Sequence, residues 1–182
     1  MALTHTILAT LGNEAFSGYD LWKNFTECTS HYWKASQQQV YRELSKLEAQ
    51  GAISSEIVPQ DNRPDKKLYQ VTPLGKEILT DWIAKPSDPM AVREELLVKV
   101  LAGHLVSSQV IIQELQRRHQ IHAENLAACK EKEQEMLGDS GKPSELSTTQ
   151  KCMYLTLRRG IRYETEWKDW CEEAIAVFSD KS

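Results

Sequence analysis

The sequence of 182 residues is poor in glycine, proline and cysteine, and it contains no long apolar run. Without about 18 consecutive apolar residues, no transmembrane helix is predicted. The N-terminus also lacks a basic segment followed by an apolar one, so no secretory signal is predicted and we expect a cytoplasmic protein. The four cysteines form no CxxC pair, which favours reduced thiols over a disulfide framework or a zinc site. They are Cys28, Cys129, Cys152 and Cys171.

Sequence motifs of common catalytic sites are also missing. The chain has no GxGxxG, P-loop, HExxH or GxSxG motif, so we predict that it is not an enzyme and uses no cofactor. His119 and His122 would share one face of a helix, as a metal site requires. No third ligand has a recognisable spacing, and we therefore predict a packed or interfacial histidine pair and no metal site.

The charge balance gives no general preference for nucleic acid, because 22 Lys and Arg stand against 26 Asp and Glu. One segment, His31 to Lys76, has a small basic excess of seven residues against five. A modest local excess attracts DNA only if the positive side chains share a surface. The evidence for a nucleic-acid partner must therefore come from the placement of individual residues.

Two prolines, Pro86 and Pro89, mark a linker over residues 86–89, because both interrupt helices. Residues 1–85 show three helical segments, a β-hairpin and a fourth helical segment, which is the order of a winged helix-turn-helix. Residues 90–182 are predicted to be almost entirely helical. The predicted fold class is mainly α, with an N-terminal winged helix-turn-helix followed by an α-helical dimerisation domain.

Three helices are predicted in the second domain, over about 90–104, 107–137 and 147–178. At about 1.5 Å per residue, each of the two long helices would extend on the order of 45 Å. Helices of this length cannot bury their apolar stripes within a small subunit. The pattern therefore predicts a homodimer that associates through the C-terminal helices.

The third helix, Ser36 to Gln50, carries the strongest indication of function. At 100° per residue, Val40, Leu44 and Leu47 share one side and should anchor the helix. The opposite side contains no acidic residue. Its amides can bond an adenine edge, its arginine a guanine edge, and its lysine a phosphate. An incidental solvated helix is the alternative. The side is formed by Gln38, Gln39, Arg42, Ser45, Lys46 and Ala49.

The hairpin adds a second surface for DNA. Its strands are predicted over 53–58 and 67–72, with Arg63 in the turn and Lys66 and Lys67 at the start of the return strand. A cationic ribbon beside a recognition helix can contact the sugar-phosphate backbone. Tyr19 either gives a hydroxyl to phosphate or packs in the core.

Three segments resemble the PadR family, a bacterial winged-helix family of transcriptional regulators. They read SGYDL at 17–21, QVYRELSKLEAQG at 39–51 and KLYQVTPLGK at 67–76. The resemblance implies a homodimer that binds an inverted-repeat DNA operator, most often as a repressor. The predicted DNA-binding residues are Tyr19, Ser36, Gln38, Gln39, Tyr41, Arg42, Lys46, Arg63, Lys66 and Lys67.

The family resemblance also implies a possible small aromatic effector, since its founding members respond to phenolic acids. Aromatic side chains concentrate on both sides of the linker, and we expect a pocket between the two domains, with core packing as the alternative. The predicted effector-binding residues are Tyr19, Trp22, Trp33, Tyr163 and Trp167. A different function also remains open, in which the winged helix docks a protein partner without binding DNA.

Overall fold

The computed structural model describes residues 2–12, 14–27, 35–60, 65–89, 93–138 and 141–180. They form two compact units, Met1–Asp88 and Pro89–Ser182. The elements of the first unit are α1 (Ala2–Leu11), β1 (Phe16–Ser17), α2 (Gly18–Glu27), α3 (Gln37–Ala49), β2 (Ile53–Val58), β3 (Lys66–Val71) and α4 (Pro73–Ile83). Those of the second are α5 (Glu95–Leu101), a 3₁₀ turn (Gly103–Leu105), α6 (Ser108–Leu137), a 3₁₀ turn (Pro143–Glu145) and α7 (Thr148–Ser179).

The core of the first unit lies between its helices and the inner side of the sheet. On α3 the three predicted anchors, Val40, Leu44 and Leu47, are completely buried, which confirms the predicted inner side of this helix. Burying aliphatic side chains of this size contributes about 1.5–3 kcal/mol each. The opposite side of α3 is consequently fixed toward solvent. The other core residues are Ile7, Leu8, Leu11, Leu21, Ala52, Ile53 and Tyr69.

The predicted hairpin is present and belongs to a three-stranded antiparallel sheet with the order β1-β3-β2. Its register pairs Ile53 with Val71 and Val58 with Lys66. The return strand begins at Lys66, one residue earlier than predicted. The third strand, β1, was not predicted, because two residues are too few to show an alternating pattern. The fold is therefore a winged helix-turn-helix with a three-stranded wing.

Hydrogen bonds of Thr72, at the start of α4, hold the hairpin against the end of α3. The hydroxyl of Thr72 accepts a hydrogen bond from the Gly75 N–H at 3.2 Å and donates to the Gly51 carbonyl at 2.7 Å. A Cβ atom at Gly75 would lie 2.1 Å from the carbonyl oxygen of Ala52, so only glycine permits this approach. The contact holds the wing in a fixed position beside α3.

The second unit is built on α6 and α7, which pack against each other along two apolar clusters. One cluster joins Leu115 and Cys171 with Leu96 of α5. The predicted helix over 90–104 is wrong in its limits, because the helix begins only at Glu95 and ends at Leu101. Glu94 has an extended backbone and caps the helix by accepting a hydrogen bond from the Leu96 N–H at 3.1 Å. Residues 90–92 lie outside the described part of the chain.

A buried ion-pairing contact joins α6 to α7. The Nδ1 atom of His122 lies 2.6 Å from a carboxylate oxygen of Glu164, and both side chains are at least 93% buried. The His122 ring stacks on Trp167, with 5.4 Å between ring centroids. A second pair, His119 and Glu172 at 2.8 Å, is exposed. His122 thus packs between α6 and α7, whereas the contact of His119 lies at the surface.

Candidate nucleic-acid interface

The solvent-facing side of α3 begins with a capping box that uses two of the predicted DNA-binding residues, Ser36 and Gln39. The Ser36 hydroxyl accepts a hydrogen bond from the Gln39 N–H at 3.2 Å, and the Gln39 side-chain oxygen accepts from the Ser36 N–H at 2.8 Å. This arrangement defines where the helix starts. It also engages the Gln39 amide, whereas Gln38 is exposed and has no hydrogen bond within the described segments. Gln38 is therefore the better placed of the two to meet a base.

Gly18 brings the start of α2 against α3. A Cβ atom at Gly18 would lie 2.7 Å from the ring of Tyr41, so the absence of a side chain allows this contact. The Tyr41 hydroxyl end thereby lies beside the N-terminus of α2, where Ser17 accepts a hydrogen bond from the Asp20 N–H at 3.1 Å and the helix dipole favours an anion such as phosphate. The neighbouring Tyr19 is 53% exposed, which argues against the core position that the sequence left open.

The predicted lysines are not free, because each pairs with a carboxylate. Lys46 lies 3.1 Å from Glu43, Lys66 lies 2.8 Å from Asp20, and Lys67 lies 2.8 Å from Glu48. The exposed positions of α3 predicted to face DNA carry no acidic residue. Glu43 nevertheless reaches Lys46 along the helix, and folding brings the two wing lysines to acidic partners, which the sequence pattern did not predict.

These contacts keep the three carboxylates ionised. The hydrogen bond from Lys66 lowers the pKa of Asp20, and the hydrogen bond from Lys67 lowers that of Glu48. Partial burial acts to raise the pKa of Glu43, but hydrogen bonds from Thr4 and Lys46 outweigh it and leave that pKa lowered. In return, Glu48 raises the pKa of Lys67. The three carboxylates therefore stay negatively charged at neutral pH.

Arg42 differs from these lysines. Its side chain is exposed on α3, and within the part of the chain that the structure describes it makes no ion pair. An unpaired guanidinium at this position can donate two hydrogen bonds to the edge of a guanine. The predicted wing residue Arg63 lies outside the described residues. Arg42 is thus the best placed cation of the candidate interface for base recognition.

The predicted effector residues lie in different surroundings. Trp22 packs against the core of the first unit, and its ring centroid is 5.8 Å from that of Tyr19. In the second unit, Tyr163 meets Trp167 edge to face at 6.4 Å. Trp33 lies outside the described residues. Trp167 also packs against an apolar cluster of the second unit, whereas Tyr19 is exposed.

Two further findings concern membrane-spanning helices and metal binding. None of the described helices is long and apolar enough to cross a membrane. Within the described segments, no group of three or more His, Cys, Asp or Glu side chains is arranged to hold a metal ion. The described cysteines, Cys129, Cys152 and Cys171, are not joined to one another by disulfide bonds.

Comparison with known proteins identifies the family of both units. Residues 7–81 match the model of the transcriptional regulator PadR-like family, and residues 92–179 match the model described as virulence activator alpha C-term. The chain is 30% identical to the negative transcriptional regulator PadR of Bacillus subtilis, with 96% of each chain covered.

Solved structures give the same result. The crystal structure of B. subtilis PadR with operator DNA matches with a TM-score of 0.78 and 25% identity, over 98% of this chain and 100% of that one. The same protein with p-coumaric acid matches with a TM-score of 0.71 and 26% identity, over 98% and 96%. The Vibrio cholerae virulence activator AphA matches with a TM-score of 0.70 and 30% identity, over 96% of each chain. The chain belongs to the PadR-like family of transcriptional regulators.

Proposed function

We propose that the protein is a sequence-specific DNA-binding regulator whose helix α3 reads the major groove. The observation that carries this proposal is the outer side of α3, where Arg42 and Gln38 face solvent without partners among the described residues. Guanidinium and amide groups are the side chains best suited to guanine and adenine edges. A structure of B. subtilis PadR with operator DNA supports the same use of this fold.

We further propose a homodimer that binds an inverted-repeat operator in the cytoplasm and represses transcription. Residues 1–85 would bind DNA, and residues 90–182 would supply dimerisation. Support comes from apolar side chains that the second unit leaves exposed, with Leu101 81% and Leu105 75% accessible. Neighbouring large apolar residues without cover mark an association surface. The relative PadR is named a negative regulator, which favours repression.

The recognition role of α3 leads to a prediction with two contrasting variants. Arg42→Ala should cost about 1–3 kcal/mol on the cognate site and relax discrimination at one base pair. Lys46→Ala should instead weaken all sequences by a similar, smaller factor, because it leaves the charge of Glu43 uncompensated near the phosphates and removes no base contact.

Gel-shift titrations on operator and random duplexes at several salt concentrations measure both effects. The salt dependence should become flatter in Lys46→Ala and stay unchanged in Arg42→Ala. Unchanged operator affinity in both variants would show that α3 is not the reading helix.

We also propose an aromatic carboxylic acid as effector, with Tyr163 and Trp167 among its contacts and Tyr19, Trp22 and Trp33 as further candidates. The support is the p-coumaric acid complex of B. subtilis PadR and the arginine beside Trp167, since Arg118 lies 5.4 Å from that ring. A ligand changes DNA affinity only by binding one state better than the other, and a 100-fold change requires about 2.7 kcal/mol of coupling.

The effector proposal predicts two linked titrations. Adding p-coumaric or ferulic acid should quench tryptophan fluorescence and release operator DNA over the same concentration range. By reciprocity, saturating operator should weaken binding of the acid by the same factor. Tight operator binding that millimolar phenolic acids leave unchanged would remove this effector class while leaving DNA binding intact.

A further inference from the structure

Three carboxylates of the winged helix share one arrangement. Each accepts a hydrogen bond from a hydroxyl group of the same unit, and each pairs with a lysine assigned to DNA binding. The three sets are Thr4–Glu43–Lys46, Ser17–Asp20–Lys66 and Ser55–Glu48–Lys67. The hydroxyl fixes the carboxylate in place, so the carboxylate in turn holds the lysine.

Two of the three pairs join residues of different elements, whereas Glu43 and Lys46 are neighbours on one helix. Glu48 lies at the end of α3 and Lys67 on β3, while Asp20 lies on α2 and pairs with Lys66 on the same strand. The Lys67 ammonium is also 5.1 Å from the centre of the Tyr69 ring, which restricts it further. Exposed ion pairs contribute only about 0–1 kcal/mol to stability. The contribution of these ion pairs to stability is therefore too small to explain the presence of three such sets.

Paired lysines change how the protein meets DNA. Affinity for phosphates comes from cations that displace counterions, and the logarithm of the binding constant falls by about 0.9 per contacted phosphate for each tenfold increase in salt. A lysine that already neutralises a carboxylate offers a phosphate little net charge. The whole unit is also short of positive charge, since residues 1–88 contain nine Lys and Arg against eleven Asp and Glu.

We propose that Asp20, Glu43 and Glu48 are internal counter-ions that hold down the affinity of the winged helix for non-specific DNA and so determine its specificity. The inference rests on the proposed function. Non-specific sites outnumber the operator in a genome, so the ratio of specific to non-specific affinity decides occupancy. With the lysines restrained, the unpaired Arg42 carries a larger share of the binding energy. General attraction to phosphate then contributes less to binding, and base contacts determine more of the difference in affinity between operator and non-specific DNA.

A purely structural role for the carboxylates predicts the opposite result in binding. If they only position the wing, removing their charge loosens the wing and weakens binding to every duplex. If they act as counter-ions, removing their charge strengthens binding to non-specific DNA. Asparagine and glutamine suit this comparison, because their side-chain oxygens still accept the hydrogen bonds from Ser17, Thr4 and Ser55.

The test compares the triple variant Asp20→Asn, Glu43→Gln, Glu48→Gln with wild type on random and operator duplexes at several salt concentrations. Non-specific affinity should rise about tenfold at 0.1 M salt, with a salt slope steeper by about two to three. Operator affinity should rise less, so the specificity ratio should fall. Glu48→Gln alone should raise non-specific affinity by about threefold, which keeps the test available if the triple variant does not fold.

The matched control is Glu56→Gln, which removes the same charge from an exposed position on β2 that has no ion pair among the described residues. It should change non-specific affinity less than about twofold, because no described lysine is released when its exposed, screened charge is removed. Wild-type protein that binds no duplex would overturn the proposed function and this inference together. Specific wild-type binding with unchanged or weaker non-specific binding in Glu48→Gln and the triple variant overturns this inference alone.

Discussion

Replacing Leu101 and Leu105 with glutamate should convert the protein to a monomer at micromolar concentration and lower operator affinity by at least about 100-fold. Both side chains are mostly exposed within the subunit, so the exchange should leave the fold of the second unit intact. Carboxylates at the centre of an apolar interface would lose their hydration without gaining partners, which opposes association. A monomer then contacts one half-site only.

Sedimentation and operator titrations measure the two parts of this prediction. Ser87→Glu is a suitable control for added charge, because Ser87 is exposed near the end of the first unit and is not one of the exposed leucines of the second. It should leave both the assembly state and operator affinity unchanged. A Leu101→Glu, Leu105→Glu protein that remains dimeric would show that the exposed leucines are not the association surface.

Removing one partner of the buried pair in the second unit should produce the other large effect. Glu164→Ala should lower the free energy of unfolding by about 3 kcal/mol, because it leaves the buried His122 ring without an acceptor. The Nε2 atom of the same ring is already buried without a hydrogen bond, so the variant would leave both ring nitrogens without the partners seen in the wild type. Urea unfolding followed by circular dichroism gives the value directly.

Two companion variants separate the pair from general effects of mutation. Glu172→Ala removes the carboxylate of the exposed contact with His119 on the same two helices and should leave the unfolding free energy within error. Replacing both His122 and Glu164 with leucine should recover most of the stability that Glu164→Ala loses, because no buried polar group is then left alone. Equal unfolding free energies for Glu164→Ala and wild type would contradict this account.

Local patterns in the sequence were sufficient for the scaffold of the candidate interface. The spacing of Val40, Leu44 and Leu47 fixes which side of α3 faces solvent, since it depends only on helical geometry. Thr72 followed by Pro73 marks the start of α4, because both residues favour the first turn of a helix. The strand β2 also follows from a local run of residues, 53–58, and was predicted with its observed limits.

Contacts between distant residues could not be predicted in the same way. The pairing of Asp20 with Lys66 depends on where α2 lies against the sheet, and the pairing of His122 with Glu164 depends on the register between α6 and α7. Neither pairing can be recognised from the spacing of residues within one helix or strand. Of the three lysine pairs at the candidate interface, only Glu43 and Lys46, three positions apart on one helix, had a spacing from which an ion pair could be expected. The lysines were consequently predicted as free cations.

Sequencing of the DNA fragments that the purified protein retains from a random pool tests the central claim most directly. The account predicts enrichment of one inverted repeat with half-site centres about 10 base pairs apart, one turn of the double helix. A guanine in each half-site should lose its enrichment when the selection is repeated with Arg42→Ala. Retained fragments without any shared sequence would contradict the account and favour a winged helix that docks a protein partner.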